Sequence, residues 1–373
     1  MSDRRASTAV IAEGTIPTTM QAVVKERRGP GAALREVPVP RPGPGELLVR
    51  VKAASICGTD LHIFRWDPWA EENVRVTPLV FGHELGGEVV ARGDAPPGVA
   101  GAPRIEIGQL VGAESHVVDW TCYQCRTGRQ HVCRNLRILG VQIPGAYAEY
   151  VVIPEVNAWP SDGLTPEVAA LQEPMGNAVH AMFVEEVAGQ TVAVLGSGPI
   201  GLMAIGIARL AGAARVFATD VNPERLALAT RMGAEVTIDA REDVALRLHD
   251  ETGGNGVDVV LEMSGAASAI HQGFAAVTNG GRISLLGIPP GPLPVDLSRE
   301  VIFKGVRVYG ITGRRMFETW YRTRALLDEG FDPTPIISHR LPLADFAEAF
   351  DLVASGHAAK VVLLPPSTES GAA

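Results

Sequence analysis

The chain has 373 residues with a net charge of −9, and 373/150 is about 2.5, so two domains are expected. Hydrophobic residues make up 46% and charged residues 20%, a globular mix that excludes a disordered chain or a coiled coil. The acidic balance argues against a nucleic-acid partner and an anionic membrane surface. No run reaches 18 apolar residues, so no membrane span is expected. Residues 1–19 contain no signal-like apolar core and read as a flexible extension. From residue 20 to 178 the texture is strands and turns. Short runs at Gln21 to Lys25, Glu46 to Ala54 and Leu85 to Ala91 are separated by clusters such as Pro40-Arg-Pro-Gly-Pro-Gly45 and Pro96-Pro-Gly98.

Near residue 179 the texture changes. Apolar runs at Thr191 to Leu195, Arg215 to Thr219, Glu235 to Ile238, Val257 to Glu262 and Gly281 to Leu286 predict strands. Helical patterns at Ile200 to Ala211 and Pro223 to Met232 lie between them. That alternation predicts βαβ units and a parallel sheet, an α/β domain over 179–314. From 315 to 373 the first domain is expected to resume, with helices at Phe317 to Leu327 and Leu343 to Ser355 and a strand at Lys360 to Leu364.

Gly196-Ser-Gly198-Pro-Ile-Gly201 follows a strand and opens a helix, and Asp220 stands nineteen residues beyond Gly201 at the next strand's end. In that setting the glycines permit the turn, the approach of a pyrophosphate and close helix packing. The helix N-terminus offers N–H groups to the phosphates, and Asp220 suits both ribose hydroxyls, which favours NAD over NADP. Arg225 weakens that preference, because it could meet a 2′-phosphate.

The four cysteines are too few for a disulfide scaffold in a chain this long, and their clustering points to metal. Cys57 with Gly82-His83-Glu84 is a mixed thiolate, imidazole and carboxylate set suited to catalytic zinc with an open position. Asp119, Cys122, Cys125 and Cys133 form a second set in a lobe at about 113–138. Its aspartate sits where a fourth thiolate would close a structural zinc site, and as a harder donor it should bind zinc less tightly.

These motifs, together with Ile63-Phe-Arg-Trp-Asp-Pro-Trp69, Gln172-Glu-Pro-Met-Gly-Asn-Ala-Val-His180, Glu262-Met-Ser-Gly265, Leu286-Gly-Ile-Pro-Pro290, Val301-Ile-Phe-Lys-Gly305 and Gly313-Arg-Arg-Met-Phe-Glu-Thr-Trp-Tyr321, resemble the zinc-dependent medium-chain dehydrogenase/reductase superfamily, and within it the branch that oxidises L-threonine. The resemblance runs from about Gln21 to Leu364. It implies a Rossmann-type parallel-sheet NAD domain inserted into a GroES-like β-barrel catalytic domain. It further implies that Cys57, His83 and Glu84 hold zinc, that Glu173 exchanges with Glu84, that Thr59 and His62 relay the alcohol proton, and that His116 lies near the substrate. For NAD it implies contacts from Pro199, Ile200, Asp220, Arg225, Leu286, Gly287, Ile288, Ile311 and Thr312.

The expected activity is therefore oxidation of a small secondary alcohol, L-threonine to 2-amino-3-oxobutanoate, by a cytoplasmic homotetramer. A polyol, sugar or amino-alcohol dehydrogenase is the alternative within the superfamily. A non-catalytic NAD- and zinc-binding module is the alternative outside it. Asp119 departs from the family's cysteine and puts the second zinc in doubt.

Overall fold

The computed structural model describes residues 10–11, 16–94, 104–356 and 358–366. The expected flexible start lies mostly outside them, as does the Pro96-Pro-Gly98 cluster. The backbone of Val10–Ile11, however, pairs antiparallel with Arg92 and Ala91, so part of the extension adds a strand.

The chain forms two compact units, residues 1–173 with 337–373, and residues 174–336. The second differs from the texture-based boundaries at both ends. Residues 315–336 group with the nucleotide-type unit and not with the returning segment. Phe331 explains this locally: its ring lies where a Cβ on Gly206 would stand, 2.6 Å away, so it packs directly on the Pro199–Leu210 helix.

In the first unit the main sheet runs Ala158–Pro160, Leu110–Ala113, Glu84–Arg92, Glu46–Ser55, Lys360–Leu364 and Ile337–Pro342. Its core gathers Val49, Leu85, Phe81, Tyr147, Phe350 and Leu363, all essentially solvent-free. The returning strand Lys360–Leu364 lies beside Glu46–Ser55, with Val362 opposite Ser55. That pairing brings residues three hundred positions apart to one spot.

Residues 20–178 are not strands and turns alone. Helices occupy Gly58–Arg65, Pro68–Asn73 and Pro166–Met182. The last is buried along nearly its whole length, which erases the polar–apolar alternation that marks a surface helix, and it carries Pro174 in its interior.

In the second unit six parallel strands run in the order Val236–Asp239, Arg215–Asp220, Thr191–Leu195, Val257–Glu262, Val277–Leu285 and Arg307–Gly310. This is the doubly wound order in which the chain reverses direction beside its first strand, the place where such sheets bind dinucleotides. Strand Val277–Leu285 begins earlier than its apolar run suggested. Two helices, Val244–Glu251 and Ala267–Ala276, complete the alternation.

Candidate functional site

Cys57 precedes helix Gly58–Arg65, and its backbone N–H donates to Asp60 Oδ2 at 2.9 Å. Asp60 is fully buried and also accepts from the Tyr147 hydroxyl at 2.6 Å. Its other oxygen lies 3.4 Å from His83 Nδ1. A carboxylate behind one imidazole nitrogen fixes the ring and leaves Nε2 for a metal. Gly82 makes this possible. Its φ is +91°, and a Cβ there would stand 2.6 Å from the Tyr147 ring.

Cys57, His83 and Glu84 each offer one donor atom, all within 4.8 Å of one another. Glu84 is solvent-free. Its Oε2 is held by the Ser55 hydroxyl and by the Lys360 ammonium, whereas Oε1 has no hydrogen-bond partner. Burial alone would strip the proton from His83, yet Asp60 and Cys57 hold its pKa well above the ordinary imidazole value. A thiol, an imidazole and a carboxylate gathered in a pocket nearly closed to water form a donor set that suits a divalent cation. The residues fit zinc with three protein donors.

The expected neighbours are placed unequally. Thr59 Oγ1 is 3.8 Å from Cys57 Sγ. His62 pairs through Nδ1 with Asp67, with half its side chain exposed. Glu173 lies outside the donor trio and accepts from Ser115 Oγ at 2.7 Å. His116 is buried; its N–H donates to Glu114 and its carbonyl accepts from Asn157.

In the lobe, Asp119, Cys122, Cys125 and Cys133 bring four donor atoms within 4.8 Å of one another. Cys122 Sγ and Cys133 Sγ are 3.7 Å apart. A disulfide needs about 2.05 Å. Zinc–sulfur bonds of about 2.3 Å in a tetrahedron place sulfurs about 3.8 Å apart, so the spacing fits a metal. Asp119 is held well below the usual carboxylate range by the N–H groups of Cys122 and Thr121, with Asn135 on its second oxygen. Burial pushes the Cys125 thiol up to about 12, while the Cys125 N–H leads in drawing Cys122 down.

The dinucleotide motif is intact. Gly196 turns at φ +100°, Gly198 caps helix Pro199–Leu210, and Pro199 and Ile200 form its first turn. A Cβ on Gly201 would stand 2.0 Å from the Gly196 carbonyl. Asp220 ends its strand and accepts from the N–H groups of Ser197 and Asn222, each at 2.9 Å, with Arg225 at 3.9 Å. Gly196, Gly198, Asp220 and Arg225 line one cavity of about 320 Å³. Leu286 and Gly287 both donate to the Glu262 carbonyl, and Ile311 donates to that of Leu285, so these positions sit at the carboxyl ends of neighbouring strands. Ile288 is largely exposed, and Thr312 follows Ile311.

Sequence reasoning missed the roles of Ser55, Asp60, Tyr147 and Lys360. Asp60, three residues after Cys57, carries a local signal, that of an acidic residue folding back on a helix start. Lys360, the one charge in an apolar strand, carries another.

Residues 43–163 match the GroES-like alcohol dehydrogenase domain, and residues 199–329 match the zinc-binding dehydrogenase family. The L-threonine 3-dehydrogenase of Bacillus velezensis is 48% identical over 351 residues, covering 93% of this chain and 99% of that one. The enzyme of that name from Symbiobacterium thermophilum is 47% identical, covering 93% and 98%. Among solved structures, a zinc-binding dehydrogenase of Sinorhizobium meliloti bound to NADP superposes with a TM-score of 0.85 at 31% identity, covering 94% and 100%. The 2R,3R-butanediol dehydrogenase of Bacillus subtilis gives 0.83 at 26%, covering 93% and 100%. Two donor sets of zinc-binding chemistry, a dinucleotide loop and near full-length relatives together place this chain in the zinc-dependent medium-chain dehydrogenase/reductase family, as an alcohol dehydrogenase.

Proposed function

We propose that this protein oxidises the 3-hydroxyl of L-threonine with NAD, giving 2-amino-3-oxobutanoate. The observation that carries the reading is the identity of nearly half of all positions with L-threonine 3-dehydrogenases along almost the full length of both chains. Cys57, His83 and Glu84 would hold zinc, with Glu173 able to exchange with Glu84. When bound, zinc supplies the Lewis acid that acidifies the alcohol, and NAD supplies the hydride acceptor.

The chain's own residues then manage the proton. The Thr59 hydroxyl, beside the donor trio, would take the alcohol proton as it gives its own to the cofactor ribose, which would hand a proton on to His62. His62 passes it to water, since its ring is half exposed and Asp67 orients it. His116 would border the substrate. Asp220 presents a carboxylate where the ribose hydroxyls would bind, which disfavours a 2′-phosphate. Gly196, Gly198, Pro199, Ile200, Gly201, Arg225, Leu286, Gly287, Ile288, Ile311 and Thr312 would complete the NAD contacts. Asp119, Cys122, Cys125 and Cys133 would hold a second, structural zinc.

A cytoplasmic homotetramer fits this reading. Among the described residues no helix is long and apolar enough to cross a membrane. The edge strand Arg307–Gly310 carries exposed Val308, and Leu297, Ile302 and Phe303 are exposed in the segment just before it, features suited to a second copy.

The test is NADH formation measured by absorbance with L-threonine, sorbitol and butane-2,3-diol in parallel. Turnover with L-threonine at the highest kcat/KM is expected. Turnover only with the diol or sorbitol assigns the chain to the polyol alternative.

A further inference from the structure

Lys360 is a charged side chain in a place where charge is costly. It is 2% exposed, opens the apolar strand Lys360–Leu364, and reaches Glu84 Oε2 while donating to the Ile56 carbonyl at 3.0 Å. Ile56 in turn donates to the Val361 carbonyl, which locks the strand start beside Cys57. The same Glu84 oxygen accepts from Ser55 Oγ, so one oxygen carries two donors and the other carries none.

This division is asymmetric in a useful way. A free glutamate can bind a cation through one oxygen or both. Here Oε2 is occupied by a cation that the strand pairing fixes in place, and Oε1 alone is free. The ammonium and the carboxylate it touches are both closed off from solvent.

We propose that Lys360 is a positioning residue for the metal site: its fixed ammonium restrains Glu84 to one-oxygen ligation and offsets part of the donors' negative charge, so zinc is held less tightly than the bare donor set would hold it. The proposal rests on the reading that Cys57, His83 and Glu84 bind zinc. An ammonium left in place when a divalent cation arrives repels it, and in a dry site that repulsion is not screened. An ammonium-free site would bind zinc more tightly and let Glu84 swing both oxygens onto it.

The test compares wild type with Lys360→Gln, which keeps a donor of similar reach without the charge, and Lys360→Arg, which keeps the charge. Zinc affinity of the full chain, stripped and retitrated against a competing chelator, should rise roughly tenfold or more in K360Q and stay near wild type in K360R. With cobalt(II) in place of zinc, the visible d–d bands of K360Q should weaken, as they do when tetrahedral sites gain a ligand, while K360R keeps the wild-type spectrum. Unchanged affinity and spectrum in K360Q overturn the proposal. So does a K360Q chain that stays unfolded with zinc present, because the metal on Glu84 would then supply the missing positive charge. Folding of K360Q only with zinc supports it. Cys57→Ser separates the two levels: if wild type and C57S bind the same amount of metal with the same affinity, the ligand assignment itself fails, whatever Lys360 does.

Discussion

Two glycines three residues apart, Gly198 and Gly201, separate ligand binding from packing. A Cβ on Gly201 would lie 2.0 Å from the Gly196 carbonyl, against about 3.4 Å for an ordinary contact, so helix or strand must retreat by about 1.4 Å. Overpacking against backbone costs about 3 kcal/mol, and replacing glycine by alanine in a helix returns up to about 1. The net loss is about 2 kcal/mol. For a unit of 150–250 residues each kcal/mol shifts Tm by about 2–4 °C, so Gly201→Ala should melt about 4–8 °C lower without ligand. Gly198 is the opposite case. A Cβ there meets nothing within 4 Å, and its backbone is extended, so Gly198→Ala should lose only the N-cap preference for glycine over alanine, about 1 kcal/mol or less. Its methyl would instead occupy the space over which a pyrophosphate approaches. Thermal melting with and without NAD reads both effects. Without ligand G198A should melt at most about 2–4 °C below wild type, but it should lose most of the NAD-induced stabilisation. A G198A chain stabilised by NAD as much as wild type refutes placement of the dinucleotide over this loop. A G201A chain with an unchanged ligand-free Tm refutes the packing argument.

Two further outcomes are expected. Elemental analysis of the purified chain should give two zincs, and Asp119→Ala should give one while NADH formation persists; a wild-type value near one removes Asp119 as a ligand. Glu185 accepts from Tyr309 and twice from Arg307, which holds its carboxyl below the ordinary range although burial opposes this. A depressed carboxylate contributes stability above its unfolded pKa and loses it as pH falls through the folded value. Glu185→Gln should therefore cost about 1 kcal/mol at neutral pH, as the cluster is partly exposed, and the gap to wild type should close in acid. A gap that persists unchanged into strong acid would sink the assignment.

The nucleotide unit was legible because its signals are local. Gly196 to Gly201, the strand before them and Asp220 lie within thirty residues, and each obeys a short-range rule of turn, cap or period. The donor atoms of the first unit were legible as types, since Cys57, His83 and Glu84 are unusual residues in apolar surroundings. Their supports were not. Ser55, Tyr147 and Lys360 meet Glu84, Asp60 and Ile56 across 29, 87 and 304 positions, and no periodicity encodes those pairings. The helix Pro166–Met182 was hidden by its own burial, because a helix apolar on all sides has no stripe to detect. The boundary near residue 336 was hidden because Phe331 packs by shape against Gly206, and nothing in its immediate sequence says so.

Asp220 carries a burden that matters to anyone who would redesign the cofactor preference. Its two oxygens each hold a backbone N–H, one from Ser197 inside the glycine loop and one from Asn222 at the next helix cap. The carboxylate that would discriminate between NAD and NADP is therefore also a tie between two loops. Exchanging it for serine or alanine to admit a phosphate frees both loops at once, and a variant of altered specificity would be a less stable one unless a second substitution restores the tie. Selectivity and rigidity are inherited here as a single trait.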